Sequence, residues 1–178
     1  MFLAQPSLKI QGVDMSKQVQ TIVRQALVAA LYVALTFAAY SFSYGAIQFR
    51  ISEILILLCF YRPDYGIGLI LGCLLANLFS PMVYIDIFVG TLATALSVWM
   101  ISRSRNLLVA SFYPVIFNGV FVGLELYWAL GEPLVPSMLY VALGEFCVVS
   151  ILGVLLFRIL GRNKNFLELI AANQNIDR

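Results

Sequence analysis

Ile47-Gln48-Phe49-Arg50-Ile51-Ser52-Glu53 runs without a break into Ile54-Leu55-Ile56-Leu57-Leu58-Cys59-Phe60-Tyr61. An arginine and a glutamate, three residues apart, thus stand at the mouth of an almost wholly apolar run. Charges in such a place are costly unless they face protein or a cavity and have partners. The segment is therefore expected to form one wall of a small-molecule site in a membrane protein, with the rest of the chain supplying the other walls.

Composition supports the membrane reading. Of the 178 residues, 62% are hydrophobic and only 11% charged, with a mean hydropathy of +0.94. A soluble domain of this length carries about twice that charged fraction. The apolar runs leave room for about six transmembrane helices, which predicts an all-α membrane protein with no separate soluble domain. The chain has no histidine, which removes imidazole metal ligation, haem ligation and His-dependent nucleophilic catalysis. Cys59, Cys73 and Cys147 lie singly in apolar runs and read as small buried hydrophobes. No Gly-rich lysine loop is present, so ATP hydrolysis would have to come from a partner. The net charge of +2, spread over loop ends, is no nucleic-acid signature. Met1 to Gln20 lacks the apolar core and cleavage site of a signal peptide, and Met15 is a candidate second start.

Hydrophobic patterning predicts six helices: Thr21 to Tyr40, Ala46 to Tyr61, Tyr65 to Phe79, Ile85 to Ile101, Asn106 to Trp128 and Pro136 to Leu160. The membrane domain is expected over 21–161, with cytoplasmic segments at 1–20 and 162–178. Ala26, Ala30, Ala34 and Ala38 form a stripe on the first helix. Small residues at this spacing permit close helix approach, either as a seam within the chain or as a docking face for another subunit. In a six-span threading, Lys9, Lys17, Arg24, Arg62, Arg103, Arg105, Arg158, Arg162, Lys164 and Arg178 fall on one side. That side is cytoplasmic by the positive-inside bias, with both termini inside. Arg50 is the exception.

Glu53, Asp86, Glu125 and Glu145 fall in the outer halves of four different helices. Glu145 lies about 14 Å inside its helix at roughly 1.5 Å per residue, close to mid-bilayer. Asn118 and Glu125, seven residues apart, share a helix face. Asn77, Gln48, Thr91 and Thr94 can join the same outer region. Four acids against one arginine cannot all stay ionised in a dry site. They must pair, be solvated, protonate or receive a cationic, donor-rich ligand.

At these residues the chain resembles the QueT family. The resemblance rests on Gln48-Phe49-Arg50-Ile51-Ser52-Glu53, Gly72-Cys73-Leu74-Leu75-Ala76-Asn77, Asp86-Ile87-Phe88-Val89-Gly90-Thr91-Leu92-Ala93-Thr94 and Ala142-Leu143-Gly144-Glu145. It covers roughly Arg24 to Gly161. It implies a six-helix substrate-binding subunit (S-component) of an energy-coupling-factor (ECF) transporter for queuosine precursors in a bacterial plasma membrane. Such a subunit has no cofactor or ATPase of its own. It docks on a transmembrane coupling protein and two ATPase subunits, which matches Ala26, Ala30 and Ala34 to the docking face. The implied cargo is a 7-deazaguanine base such as 7-aminomethyl- or 7-cyano-7-deazaguanine, or queuine.

With such a cargo, Glu145 and Glu125 are expected to accept from the guanine-like edge and Asp86 or Glu53 to take an amine. Arg50 would pair with Glu53 or Asp86. Asn77 or Asn118 would contact the carbonyl and ring nitrogens, and Phe49 or Tyr84 would cover the ring face, with Gln48 and Thr91 nearby. The competing readings are an S-component for another vitamin, a secondary transporter with a relay of carboxylates, an intramembrane carboxylate enzyme and a helical scaffold. A scaffold gives no reason to gather acids on one side. An enzyme needs a nucleophile–base pair or a metal set, and neither stands out.

Overall fold

The segment from Arg50 onward begins as a tight 3₁₀ helix, and this element holds the centre of the fold. The computed structural model describes residues 17–43 and 49–170, within which all regular structure is helical. In chain order the helices are α1 (Lys17–Ala38), the single turn α2 (Tyr40–Ser43), α3 (Ile51–Tyr61), α4 (Gly66–Asn77), α5 (Val83–Ile101), α6 (Leu107–Leu130), α7 (Leu134–Leu160) and α8 (Lys164–Leu169). Four of them, α1, α5, α6 and α7, are long and apolar enough to cross a membrane. The others in the bundle are shorter: α4 has 12 residues, about 18 Å of helix against a hydrocarbon core of about 30 Å.

Local chemistry explains most boundaries. The Asn106 side chain caps α6 by accepting from Leu108 N (2.9 Å) and Val109 N (3.4 Å), and Gly131 ends it in the left-handed conformation at φ 71°. Helix α7 starts at Leu134, two residues before the predicted Pro136, because a proline in the first turn forfeits no helical hydrogen bond. Helix α3 starts at Ile51, later than predicted. Phe49 and Arg50 are not helical, and residues 46–48, including Gln48, lie outside the described residues. The chain after Gly161 turns back as α8. The buried Ile170 that follows accepts through its carbonyl from Tyr65 Oη at 3.2 Å.

Packing runs in order α1, α4, α5, α6, α7, and α3 closes the circuit between α7 and α1 while also touching α5. Ile56, Leu57 and Cys59 of α3 are accordingly fully buried. Two crossings rest on glycine. A Cβ at Gly72 of α4 would stand 3.1 Å from Ala29 Cα, and one at Gly123 of α6 would stand 2.7 Å from Met138 Cα of α7. Neither neighbour can yield, since both are backbone. Gly123→Val is expected to destabilise the bundle by about 3 kcal/mol or more through overpacking. Thermal unfolding in detergent measures it, and an unchanged melting temperature would contradict this packing.

The inner face of α1 carries Ala29, Tyr32 and Thr36, all buried. Ala26, Ala30 and Ala34 are exposed on another face, so the seam within the chain is not the predicted stripe. The stripe has no partner among the described helices.

Candidate functional site

Arg50 and Glu53 belong to one 3₁₀ turn, closed by Glu53 N donating to Arg50 O at 2.9 Å. Residues three apart eclipse in this geometry, so both side chains leave the same face of α3 and point into the bundle, where Arg50 is 3% and Glu53 0% exposed. The 3₁₀ stretch spans seven residues, Ile51–Leu57, longer than such runs usually last. It packs against a second irregular element, the π-helical stretch Phe146–Gly153 within α7. There a Cβ on Gly153 would stand 3.0 Å from Leu57 Cδ1. Glu145 is the last α-helical residue before that stretch. Two of the four glutamate and aspartate side chains buried among the described residues thus stand where a helix departs from α geometry.

Arg50 is the centre of the cluster. Its Nη2 lies 3.9 Å from Asp86 Oδ1, and its guanidinium lies over Gly90 of α5, where a Cβ would come within 3.4 Å of Nη1 and 2.8 Å of Asn77 Nδ2. Asp86 is held from several sides. Its carboxylate accepts from Ser80 Oγ, and its carbonyl accepts from Asn77 Nδ2 at 2.9 Å. Glu53 is held as firmly: Oε1 accepts from Tyr32 Oη and from Thr94 Oγ1 at 3.4 Å. Thr36 Oγ1 donates to the neighbouring Ser52 Oγ at 2.7 Å.

The remaining two acids are differently placed. Glu145, 2% exposed, stands beside Asn118 and within electrostatic reach of Glu53 and Arg50. Its Oε2, and both polar atoms of the Asn118 carboxamide, make no hydrogen bond of ordinary geometry. Glu125, 4% exposed, lies against Asp86 and near Arg50, and neither carboxylate oxygen has a hydrogen-bond donor. It also lines a cleft of about 300 Å³ between α5 and α6, walled by Ile85, Val89, Phe121, Leu124 and Trp128. Buried polar atoms without partners are rare and call for an explanation.

The fold therefore brings together Arg50, Glu53, Asn77, Asp86, Asn118, Glu125 and Glu145. Phe49 is half-buried and packs on the apolar core. Thr91 is half-buried, its hydroxyl without a partner. Tyr84 is 86% exposed and stands apart from the buried cluster. Tyr32 and Ser80 were not anticipated. Tyr32 was legible as a hydroxyl in mid-helix on the Ala29–Thr36 face, whereas nothing local ties Ser80 to Asp86. Cys73 is more than a small hydrophobe, since its sulfur lies 3.2 Å from Thr94 Oγ1 and 3.5 Å from Asn77 Nδ2. Among the described residues no three His, Cys, Asp or Glu side chains are placed to hold a metal ion.

A sequence model of the QueT transporter family matches residues 22–162. The chain is 35% identical over 146 residues to the queuosine precursor transporter QueT of Lactococcus lactis subsp. cremoris (strain MG1363), covering 73% of this chain and 86% of that protein. No solved structure matches it.

Proposed function

From its membership of the QueT transporter family, we propose that the chain is the substrate-capture subunit of an ATP-driven importer of the energy-coupling-factor type, taking up a 7-deazaguanine precursor of queuosine. The observation that carries the reading is the gathering of four buried carboxylates around one buried guanidinium, with acceptors left open at Glu125 and Glu145. A deazaguanine edge offers adjacent N–H and NH₂ donors, which a carboxylate accepts as a pair of strong charge-assisted bonds. The relative from Lactococcus lactis, named for queuosine precursors, supports the same cargo.

In this reading the bundle is threaded as six spans, α3 and α4 being short ones, with both termini on the cytoplasmic side of a bacterial plasma membrane. The distribution of Lys and Arg supports that orientation. The exposed face of Ala26, Ala30 and Ala34 docks on the coupling protein, and partner ATPases supply the energy. Small side chains there admit a partner helix at close range.

The purified protein is expected to be stabilised by a 7-deazaguanine base and left unchanged by flavin, biotin or thiamine. A ligand at 100 times its Kd adds about 2.7 kcal/mol to the folded state. A melting temperature indifferent to every deazaguanine would refute the cargo. Ala30→Leu is expected to abolish co-purification with the coupling protein and ATPases while leaving ligand stabilisation intact. Retained co-purification would move the docking face elsewhere.

A further inference from the structure

The carboxylates near Arg50 fall into two pairs: Glu125 with Asp86, and Glu145 with Glu53. One member of each pair accepts from hydroxyls of the protein. Asp86 is tied by Ser80 and faces Arg50, and Glu53 is tied by Tyr32 and Thr94. Glu125 is the most open of the four, with both oxygens lacking a donor, whereas Glu53, Asp86 and Glu145 each have one such oxygen. The surroundings of Glu125 and Glu145 differ. Glu145 has the Asn118 carboxamide beside it, which adds a donor and an acceptor. Glu125 has another carboxylate beside it and forms part of the wall of an apolar cleft.

Resting on the function just given, we propose that Glu125 and Asp86 form a subsite for a primary ammonium group on the ligand, separate from the Glu145–Asn118 subsite that reads the edge of the base. Two adjacent carboxylates that are both ionised offer acceptors only and repel each other, so the group that best relieves them brings donors and positive charge. An ammonium brings three donors and a charge. A nitrile brings only an acceptor and faces two carboxylates. Phe121, Val89 and Leu124 wall the cleft beside Glu125 and suit the apolar methylene and ring edge that carry the ammonium. The protein thereby selects among queuosine precursors by charge, taking the aminomethyl base in preference to the cyano base. The grouping reassigns Glu125, which sequence reasoning put on the guanine-like edge.

The experiment is a titration of the purified full chain in nanodiscs with 7-aminomethyl-7-deazaguanine and with 7-cyano-7-deazaguanine. The parent is expected to bind the aminomethyl base about 10- to 100-fold more tightly, the range of a hydrogen bond to a charged group. Glu125→Gln is expected to erase that preference by weakening the aminomethyl base alone, its binding of the cyano base reporting an intact fold. Glu145→Gln is expected to weaken both bases alike. Equal binding of the two bases by the parent overturns the ammonium subsite and leaves the proposed cargo standing. Equal weakening of both by Glu125→Gln likewise overturns only the subsite. Binding of neither base by the parent overturns the subsite and the cargo together.

Discussion

Arg50→Met is expected to destabilise the protein by about 3–5 kcal/mol, the cost of removing one partner from a buried charge cluster. Met fills much of the volume of the arginine stem, so the loss reports charge more than packing. In the parent, the guanidinium lies 3.9 Å from Asp86 and within reach of Glu53, Glu125 and Glu145. Without it, the four buried acids lose their neighbouring cation and keep the hydroxyls of Tyr32, Ser80 and Thr94 as donors. Adding Asp86→Asn in the same chain is expected to restore about 1–3 kcal/mol, as coupled neighbours do in a double-mutant cycle. Arg50→Lys should fall between parent and Met, because an ammonium keeps the charge but loses the planar fork. Thermal unfolding in one detergent compares all four chains. A parent-like melting temperature for Arg50→Met would mean that the cluster does not depend on its cation.

The second large effect is on binding. Glu125→Ala combined with Glu145→Ala is expected to lower affinity for 7-aminomethyl-7-deazaguanine by about 10²–10⁴, two charge-assisted contacts at roughly 1.5–3 kcal/mol each. Stability should fall little or rise, because each substitution removes a buried carboxylate that has oxygens without partners. That opposite movement of affinity and stability separates a ligand site from a structural polar network. In a structural network the same two substitutions would cost stability and leave no affinity to lose. Unchanged affinity in the double variant would remove both residues from the site.

Much of this was legible in the chain alone, for a physical reason. Burial in lipid rejects charge, so a sequence of 62% hydrophobic residues must fold as apolar helices, and the few charges left inside must converge. Arg50, Glu53, Asp86, Glu125, Glu145, Asn77 and Asn118 could be picked out because each is an expensive residue in an apolar run. Thr94 was also placed in this region from the sequence, whereas Tyr32 and Ser80 were harder to see as partners, because hydroxyls are cheap and common in such helices and carry a weaker signal. Helix irregularity was harder still. Nothing in Ile51-Ser52-Glu53-Ile54-Leu55-Ile56-Leu57 announces a 3₁₀ winding, which arises where α3 is pressed between α1, α5 and α7.

The alanine stripe and the acids mark the boundary between the two kinds of knowledge. Sequence alone determined that Ala26, Ala30 and Ala34 share a face and that four acids lie in four different apolar segments, because helical period and hydropathy are local properties. Only the tertiary structure decided that this face is turned outward while Ala29, Tyr32 and Thr36 turn in. It alone paired Glu125 with Asp86 and Glu145 with Glu53. Which face a helix buries, and which of several like charges become neighbours, depend on contacts between segments far apart in the chain, and no local pattern encodes them.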